Sequence, residues 1–177
     1  FRDGKIFESD IFHAGIKKAR FETIGLANCF CILNSRIYFF NVEALVIKGG
    51  NSTGKRVCSN YSSRKLSLLV GLIEKYFSIS LADYDIYINV NDIYNKEFLG
   101  SELSVVAAIL SSFYNKSIKS NHFFNGSINL LGEIEFNKDI KELKNLDYNN
   151  ITLVSNFNSF GKMRRVNYLK DVDQFFK

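Results

Sequence analysis

The sequence contains no proline and no tryptophan, and among its 177 residues only three are cysteine and two are histidine. Cys29, Cys31 and Cys58 are odd in number, form no C-x-x-C pair and lie in or beside apolar segments. This pattern disfavours a disulfide framework and predicts reduced, buried thiols. Because His13 and His122 are isolated in the sequence, a structural zinc site is also disfavoured. We attribute the missing proline to codon usage and not to function.

Long hydrophobic runs are missing as well. The longest unbroken apolar stretches, such as Val105–Leu110, are far shorter than the roughly 20 residues that a membrane span requires. No secretory signal is visible either. We therefore expect a cytoplasmic protein without membrane contact. The chain begins at Phe1 and not at Met, so we expect it to be a piece of a longer protein.

The residues that are present favour a packed domain with a basic surface. Hydrophobic residues make up 46% and aromatic residues 15% of the chain, a composition that suits a buried core. The net charge of +5 and the pI near 9.0 favour acidic partners, of which nucleic acid is the usual one. A lysine-rich composition alone gives the same values, so the location of the charges has to decide between these interpretations.

Hydrophobic periodicity predicts strands first, followed by a mixture of helices and strands. Residues 1–26 are polar and irregular and are predicted to be a connector, which leaves 27–177 as one domain. A hairpin is expected around Asn34-Ser35, because runs rich in aromatic and β-branched residues flank that pair. The later predicted elements are helices at Ser62–Phe77, Ser101–Tyr114, Asp139–Leu146 and Leu169–Phe176, and strands at Tyr84–Val90, within Phe123–Ile134 and at Ile151–Val154. This order favours a two-layer α/β domain of the α+β type.

The segment Gly49–Lys55, GGNSTGK, has the glycine and lysine spacing of a phosphate-binding loop. Arg56 stands where that motif has the Ser or Thr that holds magnesium, and the next helix is predicted to begin only near Ser62. We therefore predict that this chain binds no ATP and needs no cofactor of its own.

Several ordered segments in the middle of the chain carry a pattern that is specific only when they are taken together. They are Glu43–Val46, Arg56-Val57, Arg64, Leu66, Leu69, Asp85, Asn89, Val90, the segment SELSVVAAILSS, Gly126 and Gly132–Ile134. Through them the stretch from Arg36 to Glu133 resembles the C-terminal domain of the bacterial RadA (Sms) family. The closing segment YLKDVDQFF resembles that family's last helix. A departure occurs after the central strand, where Asn91-Asp92 replace a pair of glycines.

The resemblance implies the fold of the Lon protease domain, which is related to domain 2 of a ribosomal small-subunit protein. Active Lon enzymes use a serine at the start of the second long helix, with a lysine on the next helix as its base. In register these positions fall on Gly100 and Leu143, while Ser101 and Lys144 each lie one residue away. One residue turns a helical side chain by about 100°, so we expect a degenerate, inactive peptidase site. An alternative alignment would restore a Lon-like Ser-Lys peptidase, which is the rival hypothesis.

The resemblance also implies a non-proteolytic scaffold in DNA repair and recombination. The family's zinc finger, ATPase core and Lys-Asn-Arg-Phe-Gly motif are absent from this sequence, so ATP, magnesium and zinc are expected only in upstream domains. The domain is expected to assemble with copies of itself, as a hexameric ring, and to support an ATP-dependent motor in branch migration.

The predicted DNA contacts are Lys55, Arg56, Arg64 and Lys65, which can reach backbone phosphates without reading bases. No acidic residue separates them, so we expect no ion pair within that interval to neutralise them. Solvated charges without a ligand are the alternative, and a small RNA- or ribosome-associated domain is a third hypothesis, weakened by the lack of an RNA-reading motif. A weaker DNA-binding candidate is the cluster Lys162, Arg164 and Arg165.

Overall fold

The computed structural model describes residues 22–33, 36–50, 53–91, 100–136, 152–156 and 163–176. Most of the predicted connector and the whole predicted helix at 139–146 lie outside these ranges. The proposed boundary between 1–26 and 27–177 therefore stays a prediction.

The described residues form nine strands, two α-helices and one 3₁₀ helix. The strands are β1 (Leu26–Leu33), β2 (Arg36–Lys48), β3 (Arg56–Ser59), β4 (Tyr84–Asn91), β5 (His122–Phe124), β6 (Ser127–Ile128), β7 (Ile134–Glu135), β8 (Thr152–Ser155) and β9 (Met163–Arg165). The helices are α1 (Ser63–Phe77), α2 (Glu102–Tyr114) and a C-terminal 3₁₀ helix (Leu169–Phe175). This last element was predicted as an ordinary helix, and it has the tighter 3₁₀ form instead.

Seven of these strands form one mixed sheet in the order β3-β4-β2-β1-β5-β8-β9. The predicted hairpin is confirmed, because β1 and β2 pair antiparallel with Leu33 opposite Arg36. Strand β2 is 13 residues long, and its second half pairs antiparallel with β4. The remaining neighbours in the sheet are parallel. The predicted mixed α/β class is therefore confirmed.

Strand β3 was not among the predicted elements. The four residues of β3 lie parallel to β4, with Arg56 opposite Ile86 and Ser59 opposite Asn89. Helix α1 makes the crossover between these two strands, which is the connection that parallel neighbours require. A strand of four residues has too short a pattern to be recognised from periodicity, and pairing with β4 creates it.

The core lies between one face of the sheet and the two α-helices. Ser62 caps α1 by accepting a hydrogen bond from the backbone N–H of Lys65 at 3.3 Å. One apolar stripe of α1 is buried, whereas α2 is buried over the whole stretch from Leu103 to Ser111. A helix that is apolar on all sides is one that the fold encloses. Sheet residues that face this core are Ala27, Cys29, Cys31, Phe40, Val42, Ile86, Ile88, Val90, Phe124 and Val154.

The cysteines largely follow the prediction. Cys29 and Cys31 are buried on the core face of β1, and Cys58 is half-buried on β3. All three are free thiols. Burial raises the pKa of Cys29 well above its ordinary value, so this thiol stays protonated and unreactive. In the part of the chain that the structure describes, no helix is long and apolar enough to span a membrane.

Candidate functional site

Three backbone donors of the glycine loop before β3 are used inside the chain. The N–H groups of Gly49, Gly54 and Lys55 each donate a hydrogen bond of 2.7 Å. Their acceptors are the carbonyls of Asp83 and Ala82 and a carboxylate oxygen of Asp85. A phosphate-binding loop needs such N–H groups free and a helix directly after its lysine, whereas here the strand β3 follows. These contacts support the interpretation that the motif is fortuitous, and the absence of ATP binding stays a prediction.

Arg56 is part of the framework of this loop. Its guanidinium donates hydrogen bonds to three backbone carbonyls, those of Tyr84 at 2.5 Å, Leu81 at 2.9 Å and Lys55 at 3.0 Å. Next to it, a Cβ atom on Gly54 would lie 2.0 Å from the carbonyl oxygen of Tyr84. Arg56 therefore connects the turn before β4 to the start of β3. Its guanidinium donors already have acceptors within the chain.

Lys65 also has a partner, although it comes from outside the interval between Lys55 and Lys65. Its ammonium lies 3.6 Å from a carboxylate oxygen of Glu102, at the start of α2. The Glu102 side chain is 13% exposed, and its second oxygen is buried without a hydrogen-bond partner among the described residues. The interval from Lys55 to Lys65 contains no acidic residue, and the carboxylate comes from the distant helix α2 instead.

The structure separates the four predicted DNA contacts into two pairs. Leu81 accepts a hydrogen bond from Arg56 and donates one to Glu74, in the last turn of α1, at 2.6 Å. Arg64 and Lys65 lie in the first turn of the same helix. The nine residues from Lys65 to Glu74 span about 13 Å along the helix axis. Among the four cations, Lys55 and Arg64 are exposed and have no ion pair to a described residue.

A second basic group lies at the other edge of the sheet. Arg164 and Arg165 are exposed on β9, and the Arg164 guanidinium is 5.9 Å from the ring centre of Phe175. The buried ring of His122 packs edge-on against the same Phe175, at 5.4 Å. Burial lowers the pKa of His122, and the positive charges of Arg164 and Lys119 lower it further. Lys162, the third member of the predicted cluster, lies outside the described residues.

Lys119 and His122 were not part of the predicted cluster, because they precede Arg164 by more than forty positions. Only the parallel pairing of β5 with β8 and of β8 with β9 brings these segments together. No local sequence signal marks this proximity.

The peptidase positions can be compared with the structure on one side only. Gly100 has a φ of +90°, a left-handed conformation that favours glycine, and a Cβ atom there would lie 2.5 Å from the side-chain oxygen of Asn125. The Asn125 amide is fixed by a 2.6 Å hydrogen bond to the carbonyl of Phe30. Ser101 is buried. Leu143 and Lys144 lie outside the described residues, so the absence of peptidase activity stays a prediction.

Three relatives place the chain in a family, although no protein-family model matches it. The DNA repair protein RadA of Campylobacter jejuni is 34% identical over 113 residues, which are 64% of this chain and 24% of the relative. That of Helicobacter pylori is 30% identical over 128 residues, or 70% of this chain and 29% of the relative. That of Rickettsia felis is 25% identical over 167 residues, or 92% of this chain and 37% of the relative.

The chain thus spans about a quarter to a third of the length of these relatives. The matched region is the C-terminal part of each one. The chain is therefore a RadA-related domain that corresponds to the C-terminal part of those proteins.

Proposed function

We propose that this chain is the C-terminal scaffold and DNA-contacting domain of a RadA-type DNA repair protein. The observation that carries the proposal is the similarity to proteins named DNA repair protein RadA, which extends over 92% of the chain in one case. An ATP-dependent motor for recombination and branch migration, with its magnesium and zinc, belongs in this proposal to the upstream part that the relatives have and this sequence lacks. The complete protein would work in the cytoplasm as a hexameric ring.

The fold proposed for the domain is that of the Lon protease domain. The mixed sheet, the β3-α1-β4 crossover and the enclosed helix α2 are compatible with it. The proposed domain is non-proteolytic, because the position of the nucleophile is taken by Gly100. A serine there would have to adopt a left-handed backbone and displace the fixed amide of Asn125.

DNA is proposed to bind through its phosphates, without reading of bases. Lys55 and Arg64 support this role, because both are exposed cations that no described acidic side chain neutralises. Arg164 and Arg165 offer a second set of exposed charges. The structure assigns Arg56 and Lys65 mainly to internal contacts. A single domain with few phosphate contacts would bind DNA weakly, and several copies in a ring would bind the same DNA more tightly.

The test is the salt dependence of binding to single-stranded and duplex DNA. Each phosphate contact adds close to one unit to the slope of log affinity against log salt. The double variant Lys55→Ala/Arg64→Ala should flatten the slope by about one to two units. Lys170→Ala is the control for the loss of one positive charge, because it removes a lysine from an exposed position outside both basic groups. A double variant that binds DNA with the parent's affinity and slope would contradict the assignment of these contacts.

The non-proteolytic part has its own test. The chain should not degrade unfolded casein. Any residual cleavage should come from a contaminating protease and should therefore be unchanged in the Ser101→Ala and Lys144→Ala variants. Cleavage that either substitution abolishes would establish the Lon-like peptidase instead.

A further inference from the structure

The turn between β6 and β7 exposes two adjacent leucines and is called the leucine turn below. Leu131 is 67% and Leu130 66% exposed, the highest values for large apolar side chains among the described residues. Single apolar side chains are common on protein surfaces, whereas adjacent ones form a patch that can mark a contact with another protein. A partner that removed both side chains from water would gain their hydrophobic free energy.

Hydrogen bonds hold the leucine turn in one conformation. The side-chain oxygen of Asn129 accepts from the backbone N–H groups of Leu131 and Glu133, each at 3.0 Å. The N–H of Gly132 donates to the backbone carbonyl of Asn129, also at 3.0 Å. From the end of α1, the hydroxyl of Tyr76 donates to the carbonyl of Leu131. The two leucines are therefore preorganised, so little conformational entropy is lost when a partner binds them.

A groove elsewhere on the surface has apolar walls and is called the apolar groove. It has a volume of about 420 Å³ and lies between the segment that leads into β1, the end of α2 and the end of the 3₁₀ helix. Ile24, Phe175 and Phe176 supply its apolar surface. Lys116 lines it as well, with its ammonium 2.7 Å from the carbonyl oxygen of Phe176. The groove can therefore receive apolar side chains from a partner.

The leucine turn and the apolar groove lie at opposite ends of the same two helices. At the start of α2, the N–H of Leu103 donates to the carbonyl of Gly126, which directly precedes β6. At the start of the 3₁₀ helix, the N–H of Leu169 donates to the carbonyl of Gly132 at 2.7 Å, whereas Phe175 at its end lines the groove. The 13 residues of α2 span about 20 Å. The turn therefore cannot enter the groove of its own chain, but it can enter that of a second copy.

The charges beside the two places are complementary. The charged side chains that flank them are Glu133, Glu135 and Lys75 at the leucine turn, and Lys116, Lys119 and Glu22 at the apolar groove. The balance is therefore negative at the turn and positive at the groove. Opposite balances favour the approach of the turn to the groove and disfavour the approach of two turns to each other.

We propose that the leucine turn of one copy of this domain inserts into the apolar groove of the next copy. The contact joins two different surfaces, so its repetition leads head to tail to a ring or a filament. The inference rests on the ring assembly in the proposed function and names the surfaces that build it. Two leucines cover less than the roughly 800 Å² per partner of a standard interface, so a single contact is weak and closure of the ring stabilises it.

The experiment measures association of the 177-residue chain by sedimentation velocity over a series of concentrations. Leu130→Ser/Leu131→Ser removes the side chains of the turn, and Ile24→Asp places a carboxylate in the groove. We expect each variant to associate about a hundredfold more weakly than the parent. The control is Leu45→Thr/Ile47→Thr, because it removes two exposed apolar side chains from β2 and should leave association unchanged.

A mixture of the two weakened variants gives the sharper result. Each variant keeps the surface that the other has lost, so an equimolar mixture should form a heterodimer and no larger species. Circular dichroism checks that both variants are folded, which we expect because all the substituted side chains are exposed. Ile24→Ser takes the place of Ile24→Asp if the carboxylate disturbs the fold.

Three outcomes would overturn the inference. They are a parent chain that stays monomeric up to about 1 mM, folded variants whose mixture stays monomeric, and a control that dissociates as the variants do. If the parent and both variants assembled equally, the proposed ring would stand and the surfaces named for it would be wrong. A mixture that forms the heterodimer, from variants of a chain that binds no DNA, would support these surfaces and contradict the proposed DNA contact alone.

Discussion

The two ends of α1 carry the same kind of charge and use it differently. Near the C-terminal end, Arg56 of β3 donates hydrogen bonds to the carbonyls of Leu81 and Tyr84 and so stabilises the turn between α1 and β4. At the N-terminal end, Arg64 is exposed and Lys65 shares an ion pair with Glu102. Neighbouring cations in a sequence are thus not equivalent, and the geometry of nearby acceptors determines whether a charge serves stability or can serve a ligand.

The largest effect on stability is expected near the C-terminal end of α1, at the glycine beside Arg56. In Gly54→Ala the new Cβ atom would lie 2.0 Å from the carbonyl oxygen of Tyr84, and backbone atoms on both sides would have to move. We expect a loss of about 3 kcal/mol in the free energy of unfolding, measured in urea. Gly50→Ala is the control, because nothing lies within 4 Å of the position that its methyl group would take, and it should change stability little. Equal effects of the two substitutions would show that the carbonyl of Tyr84 does not restrict the side chain at position 54.

Removal of the Arg56 guanidinium should have the next largest effect. Arg56→Gln leaves three carbonyls without their charged donor, and we expect a loss of about 2 kcal/mol in stability. Arg56→Lys is the informative companion, since it keeps the charge but cannot reach all three oxygens. It should lose much of the stability and none of the DNA affinity. A stable Arg56→Lys variant with weakened DNA binding would show that Arg56 contacts DNA and does not stabilise the fold.

The ion pair between Lys65 and Glu102 should contribute less. The lysine side chain is 38% exposed, so solvent screens the interaction. A double-mutant cycle with Lys65→Met and Glu102→Gln should give a coupling energy of about 0.5–1 kcal/mol, reduced at high salt. A coupling of zero at low salt would mean that Lys65 is as available to a ligand as Arg64.

The smallest effect on stability is expected for Arg64→Ala, in the exposed first turn of α1. No described side chain depends on Arg64, so the free energy of unfolding should change by less than about 0.5 kcal/mol. The DNA slope should nevertheless fall by about one unit. Thermal unfolding and the salt series on the same preparation check both halves of this prediction. A destabilised variant with an unchanged slope would make Arg64 a structural residue.

Local patterns predicted the elements whose signal is contained in one segment. The hairpin between β1 and β2, the helix α1 and the strand that begins at Tyr84 all follow from runs of residues close in sequence. The family resemblance was also carried by such segments, and the relatives confirm it. The short strands β3 and β9 were missed, because their residues become strands only by pairing with a neighbour.

The sequence by itself therefore determined the composition of the core, the mixed α/β class and the family to which the domain is related. Those properties depend on the order and spacing of apolar residues, which the chain carries locally. Tertiary structure alone decided which charges are available. The ion pair of Lys65 with Glu102, the hydrogen bonds of Arg56 to Leu81 and Tyr84, and the effect of the Arg164 charge on His122 all join residues distant in the chain. Electrostatic interactions act over a few ångströms in space, and sequence distance does not report them.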